Sequence, residues 1–199
     1  MSQQTVVLIA VLVVVLGIAA IVGWWLSRRR KSARLRQRFG PEYDRALDER
    51  GDQRAAEAEL LAREEKRNKL DIVELTAEAR QEHADTWRRV QTEFVDSPQE
   101  AVGRAERLVT RVMRERGYPI DEFEQRAADI SVDHPDVVEN YRHAHAVYLS
   151  QQQGDITTEQ ARQAFVHYRA LFDRLLGSDS DHRADTHRAH DRRQTHDHA

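Results

Sequence analysis

SPQEAVGRAERLVTRVMRERG, residues 97–117, decides the fold class. Ser97 is placed to cap a helix, Pro98 suits a first helical position that needs no N–H, and Glu100 completes the spacing of a capping box. Ala101, Val102, Ala105, Leu108, Val109, Val112 and Met113 then recur at helical spacing until Gly117, which tolerates the left-handed turn at a helix end. A helix with so continuous an apolar face has to be covered by others like it.

The same pattern repeats on both sides. Thr76 is a cap for a helix reaching about Val95, with Ala84, Trp87, Val90, Gln91 and Phe94 on one side and Trp87 as the expected core anchor. After the Tyr118-Pro119 turn, a short helix at about 121–129 carries Phe123, Ala127 and Ile130 inward. Pro135 is expected to open the next helix, whose stripe is Val137, Val138, Tyr141, Ala144, His145 and Tyr148, closed by Gly154. Thr157 to Gln160 fits a second capping box, and Ala161, Ala164, Phe165, Tyr168, Leu171, Phe172, Leu175 and Leu176 give the last helix its face. No strand-like alternation of useful length intervenes. Residues 76–177 therefore predict an all-α domain, a bundle of four main helices plus one short helix.

Upstream, Gly40-Pro41 and Gly51 bracket a helix at 42–50. Asp52 then caps a helix running to Leu70, with Glu59/Arg63 and Glu65/Lys69 at i,i+4 and only Leu60 and Leu61 as a thin apolar stripe; this reads as a charged, solvated spacer helix. Before it lies TVVLIAVLVVVLGIAAIVGWWL, Thr5 to Leu26, which holds 22 uncharged residues. As a helix it would reach roughly 33 Å, enough for a bilayer core. Trp24 and Trp25 end it, and Arg28, Arg29, Arg30, Lys31, Arg34, Arg36 and Arg38 follow, against no charged side chain in 1–4. The expectation is a single transmembrane helix in the inner membrane, N-terminus outside and C-terminal domain cytoplasmic, with Trp24, Trp25, Arg28, Arg29, Arg30, Lys31 and Arg34 in contact with lipid headgroups. Ala19 and Gly23 are spaced for close helix approach, so a homo-oligomer is an option. The organisation expected is an anchor at 5–26, a basic juxtamembrane segment with spacer helices at 27–75, the bundle at 76–177, and a disordered tail at 178–199.

Composition narrows the chemistry. Charged residues make up 33% of the chain, and the absence of Cys removes disulfides, thiolate metal sites and Cys nucleophiles. The net charge of -3 hides a division: residues 39–177 carry 20 Lys/Arg against 29 Asp/Glu, whereas 28–38 carry seven cations and no acid. So acidic a body is a poor surface for phosphate contacts, and no nucleic-acid partner is expected. No glycine loop, nucleophile elbow or HExxH helix is present, and no cofactor is implied.

Two histidine sets remain. His182, His187, His190, His196 and His198 lie in the tail among Asp residues, a composition that can bind metal only by ordering itself. Asp133-His134-Pro135 with Tyr141, His143 and His145 could suggest a general base or metal site. However, His143 and His145 point about 200° apart on a helix, and capping by Asp133 or His134 explains the tripeptide without catalysis.

RFGPEYDRA (38–46), FVDSPQEAV (94–102), VMRERGYP (112–119) and DISVDHPDVVENYRHAH (129–145) resemble a family of uncharacterised bacterial proteins, usually labelled hypothetical or secreted. The resemblance spans 38–176 and implies no particular activity, ligand or site. The function expected is a non-enzymatic, membrane-anchored interaction or scaffolding module with a protein partner. The alternatives are a metal- or pH-responsive protein using the His-rich tail, or the same bundle displayed outside the cell as an envelope protein.

Overall fold

The computed structural model describes residues 12, 16–17, 22–23, 25 and 29–177, and among these every regular element is helix and none is strand. The chain forms two compact units, 1–60 and 61–199.

The first unit holds α1 (29–39), α2 (Pro41–Arg50) and the first half of α3 (Gln53–Asn68). Leu35 and Phe39, one turn apart on α1, are buried with Tyr43 and Ala46 of α2 and Ala56 and Leu60 of α3. The links between these helices are tight. Gly40 (φ +49°) takes a backbone conformation closed to most residues immediately before Pro41, and Gly51 (φ +65°) closes α2 by donating its N–H to the Leu47 carbonyl. Asp52 caps α3 as expected, its Oδ2 accepting from the Ala55 N–H at 2.9 Å. The helix is not merely solvated, for Ala56 and Leu60 are fully buried and Glu57 and Glu64 are nearly so. A stripe of two small or branched residues suffices when neighbouring helices bring the aromatic bulk.

The second unit holds residues 61–68 of α3, then α4 (Ala77–Glu93), α5 (Pro98–Glu115), α6 (Phe123–Asp133), α7 (Val138–Gln153) and α8 (Thr158–Leu175). Helix α5 packs on α4, α7 and α8, and α7 lies along α8. Its buried face is the one read from 97–117, with Ala101, Val102, Ala105, Val109, Val112 and Met113 essentially without exposure. Trp87 of α4 stacks between Phe165 and Phe172 of α8, with ring centroids at 4.8 and 4.7 Å. Gly117 has φ +91° and sits so close to the 71–75 segment that a Cβ there would lie 2.3 Å from the Asp71 carbonyl oxygen. Across the same junction the Val73 N–H donates to the Arg116 carbonyl at 2.9 Å.

Three local expectations are corrected. Thr76 and Thr157 cap as read, Thr157 in a full box with Gln160, but the Ser97 side chain makes no cap hydrogen bond. Its backbone (φ −138°, ψ 71°) differs from the extended geometry at the two working caps. Helix α7 opens at Val138 rather than Pro135, because 135–137 close a turn in which the Val137 N–H donates to the His134 carbonyl. Asp133 does not cap it either: its carboxylate accepts from Arg67 at 2.8 and 2.9 Å and from the Tyr118 hydroxyl at 2.6 Å.

The larger correction concerns the membrane. Among the described residues no helix is long and apolar enough to cross a membrane, which overturns the expected transmembrane helix and the single-pass inner-membrane placement built on it. The described helices carry charge along their outward faces, and α1, which follows the apolar stretch, holds six cations within 29–39. Of Thr5 to Leu26, only Leu12, Leu16, Gly17, Val22, Gly23 and Trp25 are among the described residues. The tail at 178–199, with its five histidines, lies outside them, as does Ala19.

Candidate functional site

In the first unit, one stripe of α1 faces neither the core nor open solvent alone. Arg29, Ser32, Ala33, Arg36 and Gln37 follow i, i+3, i+4, i+7, i+8 spacing and line one wall of a groove of about 570 Å³; Tyr43 and Leu47 of α2 and Gln53 of α3 complete it. Leu35 and Phe39 fix the rotation of α1 by taking the core positions, which turns this stripe toward α2 and α3.

The groove is cationic at its rim and hydrogen-bonded beneath. Arg36 lies over the Tyr43 ring at 4.9 Å and stays 3.7 Å from Asp44 on the exposed side. The Gln53 amide donates to Glu57 Oε1 at 2.8 Å and comes within 3.3 Å of Ser32 Oγ and Tyr43 Oη. The Tyr43 hydroxyl donates to the same Glu57 oxygen at 3.0 Å. Burial, followed by the Glu57 carboxylate, pushes the phenol of Tyr43 above its ordinary pKa, so it remains a donor at any physiological pH. The site therefore offers two guanidinium groups over a floor of hydroxyl and amide groups already hydrogen-bonded to Glu57 and to one another, so that a carboxylate or other anion is held by the guanidinium rim.

The second unit contains a contrasting polar cluster. Glu106 and Thr110 project from α5, Arg126 from α6, Tyr141 and His145 from α7, and Tyr168 from α8. Arg126 Nη2 and His145 Nδ1 lie 3.7 and 3.6 Å from Glu106 Oε1, while Thr110 Oγ1 sits 3.5 Å from that oxygen and 3.3 Å from Arg126 Nη1. Phe123 covers one side, stacked on the His145 ring at 3.6 Å. Glu106 Oε2, Arg126 Nε and the hydroxyls of Tyr141 and Tyr168 are buried and make no hydrogen bond of normal geometry. Burial, then the Glu106 carboxylate, pushes both phenols far above the usual tyrosine range. These groups are enclosed, and the geometry suits a structural network better than substrate access.

The remaining histidines separate as their helical phase implies: His145 is buried and His143 exposed. The His143 ring meets His167 of α8 at 5.7 Å between centroids. His134 is enclosed beside Arg116, and burial followed by that positive charge pushes it down to about 4. Among the described residues no three His, Asp or Glu side chains are gathered as a metal site.

Of the residues expected at lipid headgroups, Trp24 and Arg28 lie outside the described residues. Arg29, Arg30, Lys31 and Arg34 are exposed on α1, with Arg29 over the Trp25 ring at 4.4 Å, but only Arg29 lines the groove. Arg36, Tyr43, Gln53 and Glu57 were not singled out from sequence as a site. Tyr43 and Glu57 are 14 residues apart and on different helices, so no local pattern joins them. Comparison of the chain with protein-family models, curated proteins and solved structures finds no match.

Proposed function

We propose that this chain is a non-enzymatic helical interaction module that holds an acidic segment of a partner protein in the α1 groove. The observation that carries this reading is the stripe of Arg29, Ser32, Arg36 and Gln37 facing Tyr43 and Gln53 across an open groove. Charge supports the choice of partner. Helix α1 has six cations and no carboxylate over 29–39, so it attracts acidic chains from a distance, and the Arg29 and Arg36 guanidinium groups at the groove then pair with their carboxylates. The lining supplies charge and hydrogen-bond donors, the means of recognition rather than of bond-breaking.

The test is binding of a fluorescent Glu/Asp-rich peptide to the full chain and to two double variants of equal charge. Arg29→Ala with Arg36→Ala removes the groove cations, whereas Arg30→Ala with Arg34→Ala removes two exposed cations of the same helix outside the groove. The groove variant is expected to lose at least about tenfold in affinity, and the control only the small, salt-screened share due to overall charge. Equal losses in both, or stronger binding to anionic vesicles than to the peptide, would contradict the proposal.

A further inference from the structure

The α7/α8 seam carries a second set of groups that the groove reading does not use. The two helices are joined by four residues and run antiparallel, which brings Asn140 opposite His167 and Asp136 opposite Arg174. In that register His143 stands beside His167 on the outer surface, their rings tilted by 31° with centroids 5.7 Å apart. This pairing joins residues 24 positions apart in sequence, so it is a product of the fold.

Each ring has one nitrogen engaged. His167 Nδ1 is 3.0 Å from Asn140 Oδ1, an acceptor that holds the proton on Nδ1 and leaves Nε2 with its lone pair. His143 Nε2 is 3.4 Å from Glu139 Oε1, one turn earlier on α7, which favours a proton on Nε2 and leaves Nδ1 as the acceptor. Burial and the neighbouring His143 hold the His167 imidazole below its ordinary pKa.

Ring spacing fits a shared ion. With metal–nitrogen bonds of about 2.0–2.1 Å, each ring centroid lies roughly 3.2 Å from the metal, so two rings in tetrahedral array stand about 5.2 Å apart. The observed centroid separation is about half an ångström wider, so the pair takes up an ion by a small closure together with rotation of the two rings to aim their free nitrogens at one point.

We propose that His143 and His167 form a surface clamp for an imidazole-preferring divalent transition metal such as zinc, with one protein ligand from α7, one from α8, and water in the remaining positions. Because the clamp joins two helices, metal binding stabilises the folded bundle, which distinguishes it from any metal held by the His-rich tail.

The experiment measures the melting temperature of the full chain with and without zinc chloride, with magnesium chloride as control. Four proteins are compared: the wild type, His143→Ala, His167→Gln, and a chain whose five tail histidines are changed to Asn. Zinc in large excess is expected to raise the wild-type midpoint by about 2–5 °C, and magnesium to have no effect. The tail variant is expected to keep the rise and each single-histidine variant to lose it. His143 is exposed, so His143→Ala remains decisive if His167→Gln folds poorly. A rise that survives both single substitutions, or disappears with the tail histidines, would overturn the clamp.

Discussion

Each unit builds a polar cluster around a glutamate, and the two clusters end in opposite states. Glu57 in the first unit accepts from Tyr43 and Gln53 beneath an open groove. Glu106 in the second is enclosed by Arg126, His145, Tyr141 and Tyr168, and one of its oxygens makes no hydrogen bond of normal geometry. The ingredients are similar, a carboxylate, tyrosine hydroxyls and a guanidinium. Both glutamates are buried, and what separates the clusters is the exposed Arg29 and Arg36 rim that lies over Glu57. The exposed guanidinium groups at the rim are hydrated until a ligand replaces the water, so they are cheap to keep and available to bind. Enclosed groups have already lost their hydration, and they matter to stability mainly through the penalty incurred when one partner of the set is removed.

The largest effect expected lies in the apolar half of the second unit, against which the polar half can be scaled. Trp87→Ala removes the ring held between Phe165 and Phe172, and denaturant melts should show a loss of about 3–5 kcal/mol. Next comes Glu106→Leu, which strands the buried Arg126 guanidinium and should cost roughly 3 kcal/mol. Adding Arg126→Met should recover most of that loss, since an apolar pair of similar volume carries no desolvation penalty. A Glu106→Leu protein as stable as the wild type would mean the cluster is not sealed, and the contrast with Glu57 would fail.

His134 gives an effect of similar or smaller size that depends on pH. Its folded-state pKa is depressed to about 4, so the unfolded chain takes up its proton first as pH falls. The stabilisation is complete above about pH 6.5 and is lost progressively down to about pH 4, with a ceiling of about 3 kcal/mol. His134→Gln should flatten that part of a stability-versus-pH curve, and an unchanged slope would assign it to other groups. The smallest effect is expected for Tyr168→Phe, which deletes a hydroxyl that has no hydrogen bond of normal geometry. Its stability should change by less than about 1 kcal/mol, toward greater stability.

The fold was legible where local chemistry and packing agree. Trp87, the helix at 97–117 and the Thr157–Gln160 box could be read because the signal lies within one helix. Ser97 shows the limit: the residue types for a cap are present, but the backbone takes another geometry. Glu106 left a trace that could have been followed, a carboxylate in phase with Val102, Val109 and Met113 on a buried face. The groove and the His143/His167 pair left none, since they depend on helix register across a turn. The apolar stretch shows the converse error, a composition strong enough to settle fold, topology and location together, when no helix among the described residues meets the requirement for a span.

The contrast between the open and enclosed clusters is tested most directly by measuring acidic-peptide affinity and melting temperature on the same two proteins. Arg29→Ala with Arg36→Ala is expected to lose affinity at least about tenfold while melting as the wild type does, because both side chains are solvent-exposed. Glu106→Leu is expected to melt lower and, when folded, to bind the peptide unchanged. A groove variant that binds the peptide as tightly as the wild type would contradict the assignment of recognition to α1.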